Sequence, residues 1–484
     1  MGVWPVSDTA GTPSVDANTA AENERPLLRQ ERIWTFRKFT GVNISLAIAT
    51  WAFLQGGAVA LYLGAKAAIA SIVIGYAISV LLVSLAPCLP AAKYGIEQYV
   101  GLRSVFGVKG ARVIMIVMTV LVMAAWTALL GIMAGHALVN VSDEVFGRDL
   151  AGSSTAITIA ALGGVVATWI LLIRGPRAVG KVGNLLAPVL VVITLGMLVL
   201  VFTKVSWGEL IAAPPLYPMD NKHLAFMLAI EMNVAGGFAW WPMIGNLARL
   251  TDTPRASFWP NAFGLYGASV VAAVIGTFTA LTLGSDDPTV WMIPLGGAVL
   301  GIAALAFIAF ANLTSMVAEA YSGISAIMGM NARIKKIPWT VLSALFLLPV
   351  MVIVCFPETV YDNYSRFLSW VAIVVAPLCG IQCVDYFILR KTRLSLRDLY
   401  RPASESAYGF WGGWNPVAFV ALAVGAVAYA LLLHPVTYEP SGLFEYVSAS
   451  MPSFIVAGAV HWVGTLLLVR VRGGYVEETK TVSR

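Results

Sequence analysis

The chain has 484 residues, of which 59% are hydrophobic and only 12% charged, and its mean hydropathy is +0.81. A soluble domain carries about 25% charged residues and has nowhere to put such an apolar surplus. The composition therefore predicts an all-α polytopic membrane protein and excludes a soluble enzyme, a disordered chain and a secreted disulfide scaffold.

The first 30 residues are polar, with no basic-then-apolar leader, and are predicted to be a disordered cytoplasmic tail, 1–30. Apolar runs follow near 40–63, 67–89, 110–138, 153–173, 183–203, 222–248, 260–283, 295–325, 338–356, 366–389, 413–434 and 451–469. A helical span needs about 20 apolar residues, so these are about twelve transmembrane helices. Strand-like alternation, the mark of a membrane barrel, is absent from runs such as 183–203.

With the N-terminus placed inside, 26 of the 31 basic residues fall in inner loops and tails, including Lys93, Arg103, Arg112, Arg249, Arg255, Arg390 and Arg397. Lys66, Arg148, Lys204, Lys222 and Arg366 are left outside. This bias predicts a cell (plasma or inner) membrane protein with both termini cytoplasmic. It also makes the net charge of +6 a topology signal rather than a nucleic-acid site. Cys88, Cys355, Cys379 and Cys383 lie in apolar segments and are expected to pack, not to bind zinc. His136, His223, His434 and His461 are scattered, so no metal site is predicted. Neither HExxH nor GxSxG occurs, and no catalytic residues are assigned.

Helix 1 carries Gln55-Gly56-Gly57 and helix 6 carries Gly236-Gly237 followed by Pro242. Interrupted helices five apart are the pattern of a five-plus-five inverted repeat. The expected organisation is a ten-helix transport core, 31–390, two accessory helices, 391–470, and a cytoplasmic tail, 471–484. Glu231 and Glu319 lie inside apolar runs. A charge at membrane depth costs several kcal/mol, so each is a candidate functional group, accepting hydrogen bonds from a substrate or carrying a proton.

Six stretches in order resemble the nucleobase–cation symporter family of cytosine, hydantoin, allantoin and purine carriers. They are NISLAIATWAFLQGG at 43–57, LAPCLPAAKYGIEQYVGLRSVFG at 85–107, AAWTALLGIMAG at 124–135, GGFAWWPMIGNLAR at 236–249, LTSMVAEAYS at 313–322, and Pro377…Gly380-Ile381…Asp385-Tyr386…Arg390. The resemblance implies a leucine-transporter-like fold with discontinuous helices 1 and 6. It implies symport of a small nitrogen heterocycle with Na+ or H+ by alternating access, and no cofactor beyond that coupling ion.

Carried over position by position, the resemblance implies cation-binding at Ala47 and Thr50 in helix 1 and at Thr314 and Ser315 in helix 8, where Leu313 replaces one expected hydroxyl. It implies substrate-binding by Trp51, Trp126, Glu231, Gly236, Gly237, Phe238, Trp240 and Glu319. Trp126 is the expected stacking aromatic, since an indole covers a flat ring at little entropic cost. Leu130 and Asn246 depart from the family pattern. The same fold carrying an amino acid, an amine or a thiamine-type compound is the alternative. The expected partners are the heterocycle, the cation and the lipid bilayer; oligomeric state is not encoded legibly.

Overall fold

A computed structural model describes residues 25–174, 176–329 and 334–469; of the predicted tails, 1–24 and 471–484 lie outside the described residues, whereas 25–30, expected to be disordered, pack with Leu27 buried and its N–H on the Gly95 carbonyl. Among the described residues the fold is helical, with only three isolated β-bridges. Two bent pairs, α1a (Phe36–Ala47) with α1b (Thr50–Tyr62) and α6a (Lys222–Phe238) with α6b (Trp241–Ala248), turn by 53° and 43°. The other long spans are α2 (Ala65–Tyr94), α3 (Arg103–Phe146), α4 (Ser154–Leu172), α7 (Arg255–Leu283), α8 (Met292–Met328), α10 (Tyr364–Leu389) and α12 (Ser450–Val469). Between them run α5 (Pro176–Lys204) and the shorter α9 (Trp339–Ile353) and α11 (Pro416–Leu432). Each of the twelve predicted apolar runs is helical among the described residues; seven helices, or nine spans with the two bent pairs, are long and apolar enough to cross a membrane, and the apolar lengths of the other three are shorter.

Burial is arranged for lipid. Val299, Leu431 and Leu467 are 81%, 72% and 65% exposed, while Asn43, Gln55, Asn233 and Asn312 are fully buried. Large aliphatic side chains face outward where hydrocarbon replaces water, and polar groups turn inward to find each other.

The repeat is visible in the packing. α1b lies on α7 and α6a lies on α2; α3 lies on α4 and α8 on α9. Exchanging each helix for the one five away, 1 for 6, 2 for 7, 3 for 8 and 4 for 9, turns each pair into the other, as an inverted repeat requires. Small residues set these approaches. A Cβ on Gly56 would lie 1.9 Å from the Ala273 carbonyl oxygen, and one on Gly276 would lie 2.4 Å from that of Phe53. Gly56→Ala is therefore expected to destabilise by about 3 kcal/mol or more, since backbone cannot give way as a side chain would. The fraction of protein surviving as a sharp size-exclusion peak after heating checks this.

Both breaks differ from their glycine markers. α1 opens at Ile48–Ala49, where ψ swings to 83° and 172°. Gly56 and Gly57 sit within α1b, where they admit α7 and the Asp286 backbone. α6 stays helical through Gly236 and Gly237 and bends at Ala239–Trp240, just before Pro242. Proline supplies no N–H to the preceding turn, which is the physical cause of the bend.

Candidate functional site

Aromatic side chains from beside the two breaks meet each other. The Trp51 ring, just past the α1 break, meets Trp126 of α3 edge-on at 5.9 Å and Trp240 of the α6 bend edge-on at 5.4 Å. Trp126 stacks on Phe367 of α10 at 5.5 Å with 23° between planes, and lies 6.5 Å from Tyr364. Trp51, Trp126 and Trp240 are 2%, 7% and 6% exposed. Five rings from α1, α3, α6 and α10 thus form one box, four of them buried and Phe367 half-buried.

Polar groups border this box. Gln55, one turn beyond Trp51, accepts from the Tyr364 hydroxyl at 2.9 Å and donates to Asn233 of α6a at 3.4 Å. Gly236 faces the Gln55 amide, where a Cβ would make ordinary contact at 3.6 Å. The Trp240 indole Nε1 and the Glu319 Oε1 are buried and have no hydrogen-bond partner; so is the Ser315 hydroxyl. Most buried polar groups in native proteins are paired, so an unpaired one calls for an explanation such as a bound group; these three are among 22 such atoms in the described residues.

Several predicted residues fall elsewhere. Gly237 faces α2, where its Cβ would lie 1.9 Å from Ser79 Oγ. Phe238 is fully buried and makes no ring contact with the box among the described residues. Glu231 is likewise remote in role. Its Oε2 accepts from the backbone N–H groups of Ala449 and Ser450, both at 3.1 Å, and its Oε1 accepts from Ser450 Oγ at 2.5 Å. Glu231, expected to contact substrate, is bonded here to the start of α12.

The predicted cation set is arranged differently from expectation. Ala47 and Thr50 are buried at the α1 break. Thr50 meets α8 through Asn312, whose Nδ2 donates to Thr50 Oγ1 at 2.7 Å and whose Oδ1 accepts from Thr50 N–H at 3.3 Å. Thr314 spends its hydroxyl on the Ala311 carbonyl of its own helix. A side-chain amide, not Thr314, spans the helices. Asn312 was missed because one amide in an apolar run carries no spacing signal; so were Gln55, Tyr364 and Phe367.

The basic face, where Arg103, Arg249 and Arg390 lie, is closed beneath the box. The loop from α2 to α3 lodges Gln98 against α6b. Its Nε2 donates to the carbonyls of Trp241 at 3.0 Å and Pro242 at 2.8 Å, and its Oε1 accepts from Asn246 N–H at 3.2 Å. Tyr99 adds a hydroxyl bond to Pro242 at 2.9 Å, and the Trp241 indole bonds Gln382 of α10 at 2.8 Å. Gln98→Ala strands these carbonyls, each costing about 1–3 kcal/mol when buried without a partner. The expected result is at least about tenfold faster thiol labelling of a cysteine placed at buried Ser104, from the basic side.

Burial raises the Glu97 carboxyl above its ordinary range, against the pull of Arg249 and the bond from Val100 N–H. An acid whose folded pKa is raised favours the folded state below its unfolded value, here 4.5, and that advantage is lost as pH rises through the folded value. Glu97→Gln should flatten this part of a melting-temperature profile taken upward from pH 4.5.

Comparison with known proteins follows the same lines. The sequence profile described as "Permease for cytosine/purines, uracil, thiamine, allantoin" matches residues 26–460. The chain is 26% identical over 392 residues to a hydantoin permease of Microbacterium maritypicum, covering 77% of this chain and 75% of that one. It is 23% identical over 410 residues to a purine-uracil permease of Arabidopsis thaliana, covering 77% of this chain but only 65% of the relative's length. Among solved structures, a nucleobase-cation-symport-1 family transporter in a closed conformation with bromovinylhydantoin bound superposes with a TM-score of 0.76 at 20% identity, covering 94% and 97% of the two chains. The fold is leucine-transporter-like, as expected, and the protein is a multi-pass membrane permease rather than an enzyme. On the profile match over nearly its whole length, the chain belongs to the family of permeases for cytosine and purines, uracil, thiamine and allantoin.

Proposed function

We propose that the chain is a secondary active symporter that imports a nucleobase or a similar planar nitrogen heterocycle together with a proton. The observation that supports this most is the aromatic box, which holds the unpaired Trp240 N–H, together with the unpaired Glu319 Oε1 on α8, the helix packed on α3 and α6b. A flat ring sliding against Trp126 gains stacking, while its acceptor and donor edges can satisfy the Trp240 N–H and the Glu319 oxygen. Gln55 and Asn233 offer further amide groups at the box edge. The relatives, one named for purine and uracil and another for hydantoin, carry cargo of this chemistry.

The proton reading rests on α8. Asn312 already ties α1 to α8 with a neutral amide, so Ala47, Thr50, Thr314 and Ser315 are not read as a sodium cage. Glu319 is the intramembrane carboxylate left without a bonded partner on Oε1. An ionised carboxylate buried alone costs several kcal/mol, so loading with cargo donors or with a proton is favoured together. Cargo then shifts the carrier between its two openings only by differential affinity. In this reading the basic face is cytoplasmic, residues 31–390 are the transport core, and α11 and α12 are accessory.

The test is thermal stabilisation of purified protein across cytosine, uracil, purines, hydantoin and allantoin, with and without Na+ and at two pH values. A ligand that binds only the native state raises stability in proportion to its occupancy. A sodium-independent heterocycle hit that changes with pH supports the reading. A hit that requires Na+ overturns the proton assignment. Stabilisation by thiamine or an amine alone overturns the cargo class.

A further inference from the structure

Glu231 is a buried carboxylate that the transport site leaves unused, and its bonds point away from the box. It lies on α6a, two turns before the α6 bend, and is 1% exposed. It accepts from the N–H groups of Ala449, the residue that caps α12, and of Ser450, and from the Ser450 hydroxyl, and it also bonds the Tyr429 hydroxyl of α11. The first N–H groups of a helix have no partner within it and carry its positive dipole end, so a carboxylate placed there is bound by charge as well as by hydrogen bonds. Ser448, immediately before, sits at a φ of +60°, a conformation an L-residue rarely adopts. That turn aims the next two N–H groups at Glu231, and such strain persists only where surrounding bonds fix it.

The rest of α12 packs on both α11, where Ser453 Oγ donates to the Gly425 carbonyl at 2.7 Å, and α10. A Cβ on Gly380 would meet the Phe454 carbonyl oxygen at 2.1 Å, and one on Gly458 would meet Val384 at 3.0 Å, so the two backbones touch. Further along, His461 Nε2 lies 3.4 Å from Asp385 Oδ1, whose other oxygen accepts from Arg390 Nε at 2.7 Å. Arg390 in turn donates to the Ser104 carbonyl at the start of α3.

We propose that α12 is a strap that transmits the position of the α6 outer arm to α10, with Glu231 as the positioning residue at one end and His461 at the other. α10 carries Tyr364 and Phe367, the rings that close over Trp126. Movement at the α6 bend therefore pulls on the start of α12, and the interlocked glycine contact carries that pull to the element covering the box. The accessory helices thus belong to the moving machinery.

This inference takes its meaning from the carrier reading, but its test requires no cargo. Spin labels are placed at exposed Asp149 and Arg366, near the ends of α3 and α10 on the face opposite the basic one, with Cys355→Ser removing the exposed native thiol. In otherwise native protein the expected distance distribution is narrow. Glu231→Ala and, separately, Ser450→Ala are expected to add a longer population, raising its share by about tenfold for the first and less for the second. Glu231→Gln, which keeps one acceptor, should recover part of the narrow peak. The double variant Glu231→Ala/Ser450→Ala should look like Glu231→Ala alone, because the two act through one contact. An unchanged distribution in folded Ser450→Ala and Glu231→Gln protein overturns the strap, whatever the heterocycle panel shows. Should Glu231→Ala fail to fold, those two variants decide the matter alone.

Discussion

Glu319→Gln is expected to reduce uptake at least about tenfold while leaving the melting temperature unchanged or a few degrees higher. The two halves of that result come from the same geometry. Glu319 is 3% exposed with an oxygen that bonds nothing, so the folded protein bears a desolvation cost without a compensating contact. An amide of the same shape removes that cost. It also removes the proton-carrying group and halves the acceptors offered to a heterocycle edge. A structural carboxylate behaves in the opposite way. Glu231→Gln weakens bonds to three donors of α12 and should lower the melting temperature. Measuring uptake and melting for both variants side by side distinguishes a residue kept for work from one kept for architecture. If Glu319→Gln melts lower and still transports, the site assignment is wrong.

Trp126→Ala is the second large effect. The indole stacks on Phe367 and meets Trp51, and truncating a buried tryptophan costs about 3–5 kcal/mol of stability. Stacking on a heterocycle contributes about 1–3 kcal/mol per ring, so the half-saturating concentration should rise by about ten- to a hundredfold. Trp126→Phe keeps a π face and should recover most of the stability and part of the affinity. Trp51→Phe is expected to have a smaller effect, since Trp51 meets its neighbours edge-on rather than face to face. Equal losses at both positions would show that the box is a packing core and not a stacking site.

The sequence made some of this visible and concealed the rest for identifiable reasons. The spans and the basic face were legible because lipid demands long apolar runs and charge bias places their ends. Trp126 stood out as an aromatic midway along an otherwise aliphatic and small-residue helix. The α1 break did not, because Ile48 and Ala49 are ordinary helix residues that adopt an extended backbone through their surroundings. Gly56-Gly57 looked like the break and is instead a close-packing surface for α7. Glu231 and Glu319 were indistinguishable in one dimension: both are carboxylates in apolar helices. Their difference depends on α12, more than two hundred residues further along the chain, whose first N–H groups reach one and not the other. Gln98 and Asn312 were hidden for the same reason, since an amide acquires a role only from the backbone groups it meets.

The Gln98 latch has a consequence for how tightly the carrier can hold a gradient. Its bonds to Trp241, Pro242 and Asn246, and the neighbouring Tyr99 bond, all belong to one short loop meeting one short helical arm. Releasing one of them leaves a buried carbonyl or amide unpaired while the others hold the loop in place, so partial opening is less favourable than either end state. The latch therefore behaves as a switch with two positions and a steep divide between them. A half-open pore, through which ions would run down their gradient unaccompanied, is the conformation this arrangement penalises most.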